Sequence, residues 1–299
     1  MSLLFSSKSF SRESIITMAA LIQWYPGHIS KAERQLKEQL KKVDVVLEVR
    51  DCRIPIASHH PEVDQWIGEK PKILVLNRED MISASLKQEW TQWFKSQGQR
   101  VFFTNAKDGK GVKAVKKAAQ SVKSNVNERR KQRGMLPRAM RAVVIGFPNV
   151  GKSALINRLL NRKIVASARK AGVTRQLQWV RVSKELELLD APGIIPLKLN
   201  DQVNALKLAI CEDIGDAAYD NEQVVIGMID LLINLGTESA LVDRYGLNPL
   251  DYTAEEYIIE LAKHKFNNDL KRGVRQVLHD FRKGYLGAVS LEYPPITEE

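Results

Sequence analysis

The sequence predicts an α/β domain followed by an all-helical domain. In the first two thirds of the chain, β-branched runs alternate with amphipathic segments, a pattern typical of a parallel sheet with crossover helices. A glycine-rich loop at residues 146–153 joins one such run to a helical segment. From about residue 200 the periodicity is helical, without strands. A chain of 299 residues is long enough for about two such domains.

The spacing of apolar residues gives the order of the elements. A helix is predicted to begin after residue 28, and further helices are predicted at 86–94, 112–122 and 154–160. Strands are predicted at 43–49, 73–76, 101–103, 141–145, 178–182 and 186–189. The C-terminal helices are expected at 203–210, 224–235, 253–265 and 269–283. Residues 124–141 are rich in arginine and contain Gly134 and Pro137, which predicts a basic linker.

Residues 146–153 read Gly-Phe-Pro-Asn-Val-Gly-Lys-Ser, the G-x-x-x-x-G-K-S pattern of a phosphate-binding P-loop. Such a loop closes backbone amides around phosphate oxygens, while its lysine reaches the β- and γ-phosphates and its hydroxyl holds Mg²⁺. The strand before it and the helix after it favour this interpretation over a chance glycine-rich turn. The residues expected to contact nucleotide here are Asn149, Val150, Gly151, Lys152, Ser153 and Ala154.

Polar clusters follow the predicted strands at 73–76 and 101–103, and they suggest how the base is read. Asn77 and Asp80 lie three residues apart, and a carboxylate at Asp80 can accept both N–H groups on the Watson–Crick edge of guanine. The backbone N–H of Ala106, next to Asn105, could then reach the base oxygen. Taken alone, Asp80 is more typical of a turn or helix cap, so the guanine interpretation depends on the P-loop elsewhere in the chain.

A second strand-terminal motif lies downstream of the P-loop, where Asp190-Ala191-Pro192-Gly193 spells D-x-x-G. This places a carboxylate near the magnesium ion and a glycine amide near the γ-phosphate. Thr174, in the basic loop between, is positioned to offer its hydroxyl to the same metal. The expected metal ligands are therefore Ser153, Thr174 and Asp190.

The overall composition narrows the class of partner. A formal charge of +11 and a pI near 9.5 favour a large polyanion such as nucleic acid, although a merely soluble basic surface stays open. No run of apolar residues is long enough to span a membrane. The two cysteines have no metal-site spacing and suggest a reducing compartment. Residues 1–20 are expected to be a flexible extension, with a short transit peptide as the alternative.

The order of the motifs is unusual, because the two segments that read the base precede the P-loop. This order resembles the circularly permuted Ras-like GTPases of ribosome assembly. Residues 24–28 (Trp-Tyr-Pro-Gly-His), residues 51–55 (Asp-Cys-Arg-Ile-Pro) and the P-loop are similar to the YlqF/RbgA family in particular. Arg78 and Cys52 depart from that family's pattern, which has lysine and alanine there.

The resemblance implies a GTPase domain over residues 21–198 and a helical domain that binds ribosomal RNA over residues 199–299. It implies hydrolysis of GTP with Mg²⁺, coupled to maturation of the large ribosomal subunit, by a cytoplasmic or plastid-stromal protein that we expect to be monomeric. Ile194 follows D-x-x-G where other GTPases have a glutamine, so the catalytic candidates are His28, Lys152 and Thr174. Asn149 resembles the P-loop asparagine that helps to hold K⁺ in related enzymes.

Arg78 is expected to pack its stem against the guanine ring in place of that lysine. Two other functions stay open at this point. One is an RNA-binding scaffold that nucleotide switches with negligible turnover, and the other is a P-loop protein that uses ATP.

Overall fold

The computed structural model describes residues 29–161, 178–191, 193, 201–215 and 219–295. Six strands form the sheet: β1 (Val45–Asp51), β2 (Lys72–Asn77), β3 (Val101–Thr104), β4 (Met140–Ile145), β5 (Gln178–Arg181) and β6 (Leu186–Asp190). The helices around the sheet are α1 (Ile29–Leu40), α2 (Val63–Ile67), α3 (Ala84–Ser96), α4 (Val112–Gln132) and α5 (Lys152–Leu160). The C-terminal helices are α6 (Gln202–Ile210), α7 (Asn221–Asn234), α8 (Ser239–Tyr245), α9 (Ala254–Lys265) and α10 (Leu270–Lys283).

The sheet has the strand order β3-β2-β1-β4-β6-β5. All neighbouring pairs are parallel except β5 with β6, which is antiparallel. Every residue of β1 is buried, as expected for a parallel strand covered on both faces. The predicted fold class, an α/β domain with a helical C-terminal region, is confirmed.

The strand order brings together segments that are far apart in the sequence. The P-loop follows β4 in the middle of the sheet, whereas the predicted base-reading residues follow β2 and β3, which come earlier in the chain. Because the parallel strands point the same way, their carboxyl ends meet at one edge, where ligands bind in such sheets. The permuted motif order therefore still produces a single candidate site.

The helical region packs directly onto the sheet region through Arg53, which follows β1. The Arg53 side chain is fully buried and its guanidinium carbon lies 5.0 Å from the centroid of the Phe281 ring on α10. The Arg53 carbonyl accepts hydrogen bonds from Leu291 N at 3.1 Å and Ser290 Oγ at 3.0 Å. The largest set of buried apolar residues runs without interruption from the sheet into the C-terminal helices.

Two local expectations differ from the structure. Helix α4 continues to Gln132, so the first half of the predicted basic linker is helical. Lysine, arginine, glutamine and glutamate are good helix formers, and no glycine or proline interrupts them before Gly134, which has φ 69°. In addition, β1 and β2 run on to Asp51 and Asn77, so these polar residues are the last residues of their strands. Within the part of the chain described, no helix is long and apolar enough to cross a membrane.

Candidate nucleotide-binding site

The P-loop has the backbone conformation that its glycines predict. Gly146 has φ 149° and Gly151 has φ 102°, both values that side-chain-bearing residues rarely adopt. A Cβ on Gly146 would lie 2.2 Å from the carbonyl oxygen of Val49, and one on Gly151 would lie 2.1 Å from Asn77 Nδ2. Helix α5 begins at Lys152, so its positive N-terminal end faces the loop. The arrangement suits an anion such as a phosphate group.

Lys152 lies inside this loop. Its side chain is buried, and its ammonium group donates to the carbonyl oxygens of Phe147 at 2.7 Å and Gly146 at 3.2 Å. Burial lowers the pKa of Lys152 to about 8, although the carboxylates of Asp190 and Asp213 act in the opposite direction. Among the described residues, only carbonyl oxygens accept hydrogen bonds from this buried ammonium, which would gain from a phosphate anion.

The D-x-x-G motif lies beside the P-loop. Asp190 is the buried last residue of β6, and its Cα pairs with that of Val144 on the strand that leads into the loop. Gly193 approaches Pro148 so closely that a Cβ at Gly193 would lie 2.5 Å from the Pro148 nitrogen. Ser153 is in the first turn of α5. The predicted aspartate, glycine and serine are thus all placed around the loop.

Asn77 joins the predicted base-reading segments to the P-loop. Its Nδ2 donates to the Val150 carbonyl at 2.8 Å. Its Oδ1 accepts hydrogen bonds from Thr104 Oγ1 at 3.1 Å and from the Ala106 backbone N–H at 3.0 Å. Asn77 therefore links the ends of β2 and β3 to the loop after β4. In this conformation the Ala106 N–H, expected to reach the base, is donated to Asn77.

Arg78 and Asp80 point in different directions from the turn after β2. Arg78 adopts a left-handed conformation with φ 66°, and its guanidinium donates to the Asn149 carbonyl at 2.7 Å and lies 3.2 Å from Asp51 Oδ2. Asp80 is exposed, and none of the described residues donates a hydrogen bond to its carboxylate. Between them, Glu79 is buried and pairs with Lys87 and Lys110. Asp80 is thus left open to a ligand.

Asn105 shapes the loop after β3 rather than facing outward. It is buried, its Nδ2 donates to Asp108 at 3.0 Å, and its Oδ1 accepts from the Lys107 N–H at 2.9 Å. Arg158 of α5 donates to the Ala106 carbonyl at 3.2 Å. The loop is therefore held against the helix that begins at the P-loop.

The helical region reaches the P-loop through Asn149. Asn149 has φ 56°, and its Nδ2 donates to the Glu212 carbonyl at 2.6 Å. Since only the amide nitrogen can donate to a carbonyl, Asn149 Oδ1 must point elsewhere. Ala154 and Val150 occupy the predicted positions, in the first turn of α5 and in the loop.

Several charged residues of the site were not predicted from the sequence. Asp51 pairs with Arg53 at 2.8 Å and with Arg78 at 3.2 Å. Burial raises the pKa of Asp51, but the positive charges of Arg53 and Arg78 outweigh that effect and lower the pKa below its ordinary value. Asp213 is fully buried after α6, and neither of its oxygens accepts a hydrogen bond from the described residues. Burial, and then the charge of Asp51, raise its pKa well above the ordinary value. In the sequence, Asp51 and Arg53 stand out only as part of the motif at residues 51–55, and nothing in the local pattern marks Asp213.

Two predicted catalytic residues, His28 and Thr174, lie outside the described residues, and so does Ile194. The extension expected at residues 1–20 also lies outside them.

Comparison with known proteins identifies similar chains. A family model described as "50S ribosome-binding GTPase" matches residues 141–268. "Ribosome biogenesis GTPase A" of Priestia megaterium is 39% identical over 285 residues, which cover 93% of this chain and 99% of that protein. The protein of the same name from Bacillus cereus is 36% identical over 280 residues, covering 92% and 94%. "Mitochondrial GTPase 1" of Aedes aegypti is 31% identical and covers 91% and 94%.

Solved structures agree on the fold. GDP-bound "TM YlqF" is 26% identical, with a TM-score of 0.60 over 87% of this chain and 99% of that chain. GNP-bound YlqF from T. maritima has the same TM-score of 0.60 at 24% identity, over 88% and 98%.

Proposed function

The chain belongs to the ribosome biogenesis GTPase A family, and we infer that it binds and hydrolyses GTP as an assembly factor for the large ribosomal subunit. One observation carries this conclusion. The hydrogen bond from Asn77 to Val150 spans 73 positions in the sequence and joins the strand that leads to Asp80 with the P-loop. This bond supports the proposal that base recognition and phosphate binding share one site.

The phosphates of GTP would bind the P-loop amides and Lys152. Phosphate oxygens would take the place of the Gly146 and Phe147 carbonyls as partners of the Lys152 ammonium. The buried carboxylate of Asp190 and the hydroxyl of Ser153 suit Mg²⁺, which prefers oxygen ligands, and Thr174 would complete the set. When bound, Mg²⁺ would neutralise charge on the β- and γ-phosphates. The Gly193 amide would lie near the γ-phosphate.

Guanine would be recognised by the exposed carboxylate of Asp80, which is free to accept its two N–H groups. The stem of Arg78 would pack on the ring while its guanidinium keeps the bond to Asn149. Asn105 and Ala106 would form the opposite wall of the base pocket. The assignment is supported by the bond that places Ala106 and Asn77 side by side.

Asn149 would help to hold K⁺. Its Nδ2 is donated to the Glu212 carbonyl, which leaves the amide oxygen as the cation ligand. A potassium ion there would supply positive charge next to the phosphates, where other GTPases use an arginine.

Ribosomal RNA is the partner that the charge favours. Lys271, Arg272 and Arg275 are exposed on α10, and none of them forms an ion pair with a described residue. Such a face suits a phosphate backbone. We place the RNA-binding domain at residues 199–299 and the GTPase domain at 21–198, in a monomer that works in the cytoplasm alongside ribosomes.

Phosphate release tests the proposal. The full chain should release phosphate from GTP over many turnovers and much more slowly from ATP, and isolated large ribosomal subunits should increase the rate. Lys152→Ala should abolish this activity, whereas Lys95→Ala, a change at an exposed lysine on α3, should not. Release limited to a single turnover with subunits present would favour the nucleotide-switched scaffold. Equal release from ATP would refute guanine recognition.

A further inference from the structure

A cleft of about 570 Å³ lies on the sheet at the opposite end from the P-loop. Three cations line it, Lys42, Arg141 and Arg181, together with Glu187 and the indole of Trp179. Arg141 and Glu187 are near the starts of β4 and β6, and the P-loop follows the other end of β4. The nucleotide site therefore leaves this cleft unused.

The strand register explains why these side chains meet. Arg141 pairs with Glu187 across β4 and β6, and Glu187 pairs with Arg181 across β6 and β5, so the three side chains share one face of the sheet. Trp179 precedes Arg181 by two residues and lies on the same face.

Helix α1 covers this face only in part. Further along the strands, the face carries Val143 and Leu189, which are buried with Leu36 and Leu40 of α1. In the edge strand β5, Trp179 pairs with Leu189, yet its side chain remains 38% exposed. The sheet thus presents a flat aromatic ring at a point that the helix does not cover.

The ring is held in place and has charged neighbours. The guanidinium carbon of Arg141 lies 5.5 Å from the Trp179 ring centroid, and Arg141 Nε donates to Glu187 at 3.3 Å. The Arg141 backbone is fixed as well, because its N–H donates to Asp44 at 2.8 Å. Lys42 and Arg181 are exposed, and neither forms an ion pair with a described residue.

We propose that this cleft is a second RNA site, which stacks an unpaired base on Trp179 and binds the adjoining phosphates with Lys42 and Arg181. The proposal rests on the inference that ribosomal RNA is a partner, and it adds a contact outside the helical domain. Single-stranded RNA sites combine an aromatic platform with cations that follow the backbone. A base inside a continuous duplex exposes no face to the ring, so the ligand is RNA with unpaired nucleotides.

Fluorescence anisotropy with two labelled RNAs tests the proposal on the full chain. The probes are a short single-stranded oligouridylate and an RNA duplex of equal length. Trp179→Leu should weaken binding of the single strand by about tenfold, as expected for the loss of one stacked base, and should leave duplex binding unchanged. Trp179→Phe should keep most of the affinity. Lys42→Gln should lower the slope of log affinity against log salt by about 0.7, and the matched change Lys95→Gln should not.

The outcomes separate the two inferences. If the parent chain binds neither RNA, the partnership with ribosomal RNA is wrong and the cleft assignment falls with it. If the parent binds but Trp179→Leu loses affinity for both RNAs equally, or for neither, only the cleft assignment is wrong. If Trp179→Leu binds both RNAs as the parent does but no longer cosediments with large subunits, the cleft contacts a ribosomal protein instead. GDP affinity and the thermal unfolding midpoint should stay at parental values in Trp179→Phe.

Discussion

Asn77 Nδ2 donates to the carbonyl oxygen of Val150 at 2.8 Å, and this bond fixes the distance between the turn after β2 and the P-loop. Asn77→Asp would replace the donor with a carboxylate oxygen that repels the carbonyl, while keeping an acceptor for Ala106. We expect nucleotide affinity to fall at least tenfold and the free energy of unfolding to fall by about 1–3 kcal/mol, the cost of an unsatisfied buried polar group. Titration with a fluorescent GDP analogue and urea unfolding measure the two effects.

Thr104→Val is the matched control for this change. Thr104 donates to the same side chain, at Asn77 Oδ1, and within the described part of the chain its hydroxyl forms no hydrogen bond with the P-loop. Loss of the hydrogen bond from Thr104 should lower the free energy of unfolding by about 1 kcal/mol and leave nucleotide affinity almost unchanged. Equal effects of the two variants on affinity would show that Asn77 acts through general stability.

Asp80→Asn should change the base that the protein prefers. A carboxylate accepts both N–H groups of guanine, whereas an amide can donate to the additional oxygen of xanthine. We expect preference to move from GTP toward xanthosine triphosphate in competition assays. Asp243→Asn, which alters an exposed carboxylate on α8 in the helical region, should leave the preference as it is in the parent. An unaltered preference in Asp80→Asn would remove Asp80 from base recognition.

Much of the fold was predictable, because the strands and helices follow local apolar spacing. The P-loop and D-x-x-G were predictable for the same reason, since each is a short motif whose glycines and charged residues lie close in sequence. Helix α4 was underestimated because a high density of arginine and lysine suggested a linker, although those residues favour helix. Charge alone does not separate an exposed helix from a loop.

The contacts between distant segments were not predictable. Arg53 meets Phe281, Asn149 meets Glu212, and Asp213 is buried near Lys152, yet each partner lies far away in the sequence. Periodicity and spacing describe one segment at a time, and they carry no information on which side chains of the helical region approach the nucleotide site. Those contacts depend on the tertiary packing of α6 and α10 against the sheet.

Nucleotide affinity should depend on pH through Lys152. In the nucleotide-free protein, burial lowers the pKa of Lys152 to about 8, and a bound phosphate should raise it by stabilising the ammonium. Binding therefore takes up a proton above pH 8, and affinity should be highest below that pH and fall by up to tenfold per pH unit above it. Lys152→Arg, whose charge persists, should bind more weakly but lose this dependence. Identical pH profiles for the two proteins would contradict the proposed role of burial.

The basic face of α10 should contribute counterion release to RNA binding. Changing Lys271, Arg272 and Arg275 to glutamine should lower the slope of log affinity against log salt by about 2.1–2.7, since each lost phosphate contact removes about 0.7–0.9. A matched triple change on α4, at Lys113, Lys116 and Lys117, removes the same net charge from another helix. Anisotropy titrations over a range of salt concentrations compare the two. Equal slopes in both variants would mean that overall charge, rather than the α10 face, binds the RNA.

His28 is the remaining candidate for alignment of the attacking water, because Ile194 follows D-x-x-G and has no polar group to orient it. The segment that contains His28 leads into α1, and α1 packs on the face of the sheet that also carries Ile145, the residue before the P-loop. His28→Ala should lower the rate of GTP hydrolysis with large ribosomal subunits by about a hundredfold, the usual range for one group that aligns or transfers a proton. GTP affinity should hardly change, because His28 would act on the water and not on the nucleotide. His264→Ala, on the exposed surface of α9, controls for the loss of an imidazole. Hydrolysis by His28→Ala at the parental rate with subunits present would leave His28 a structural residue only.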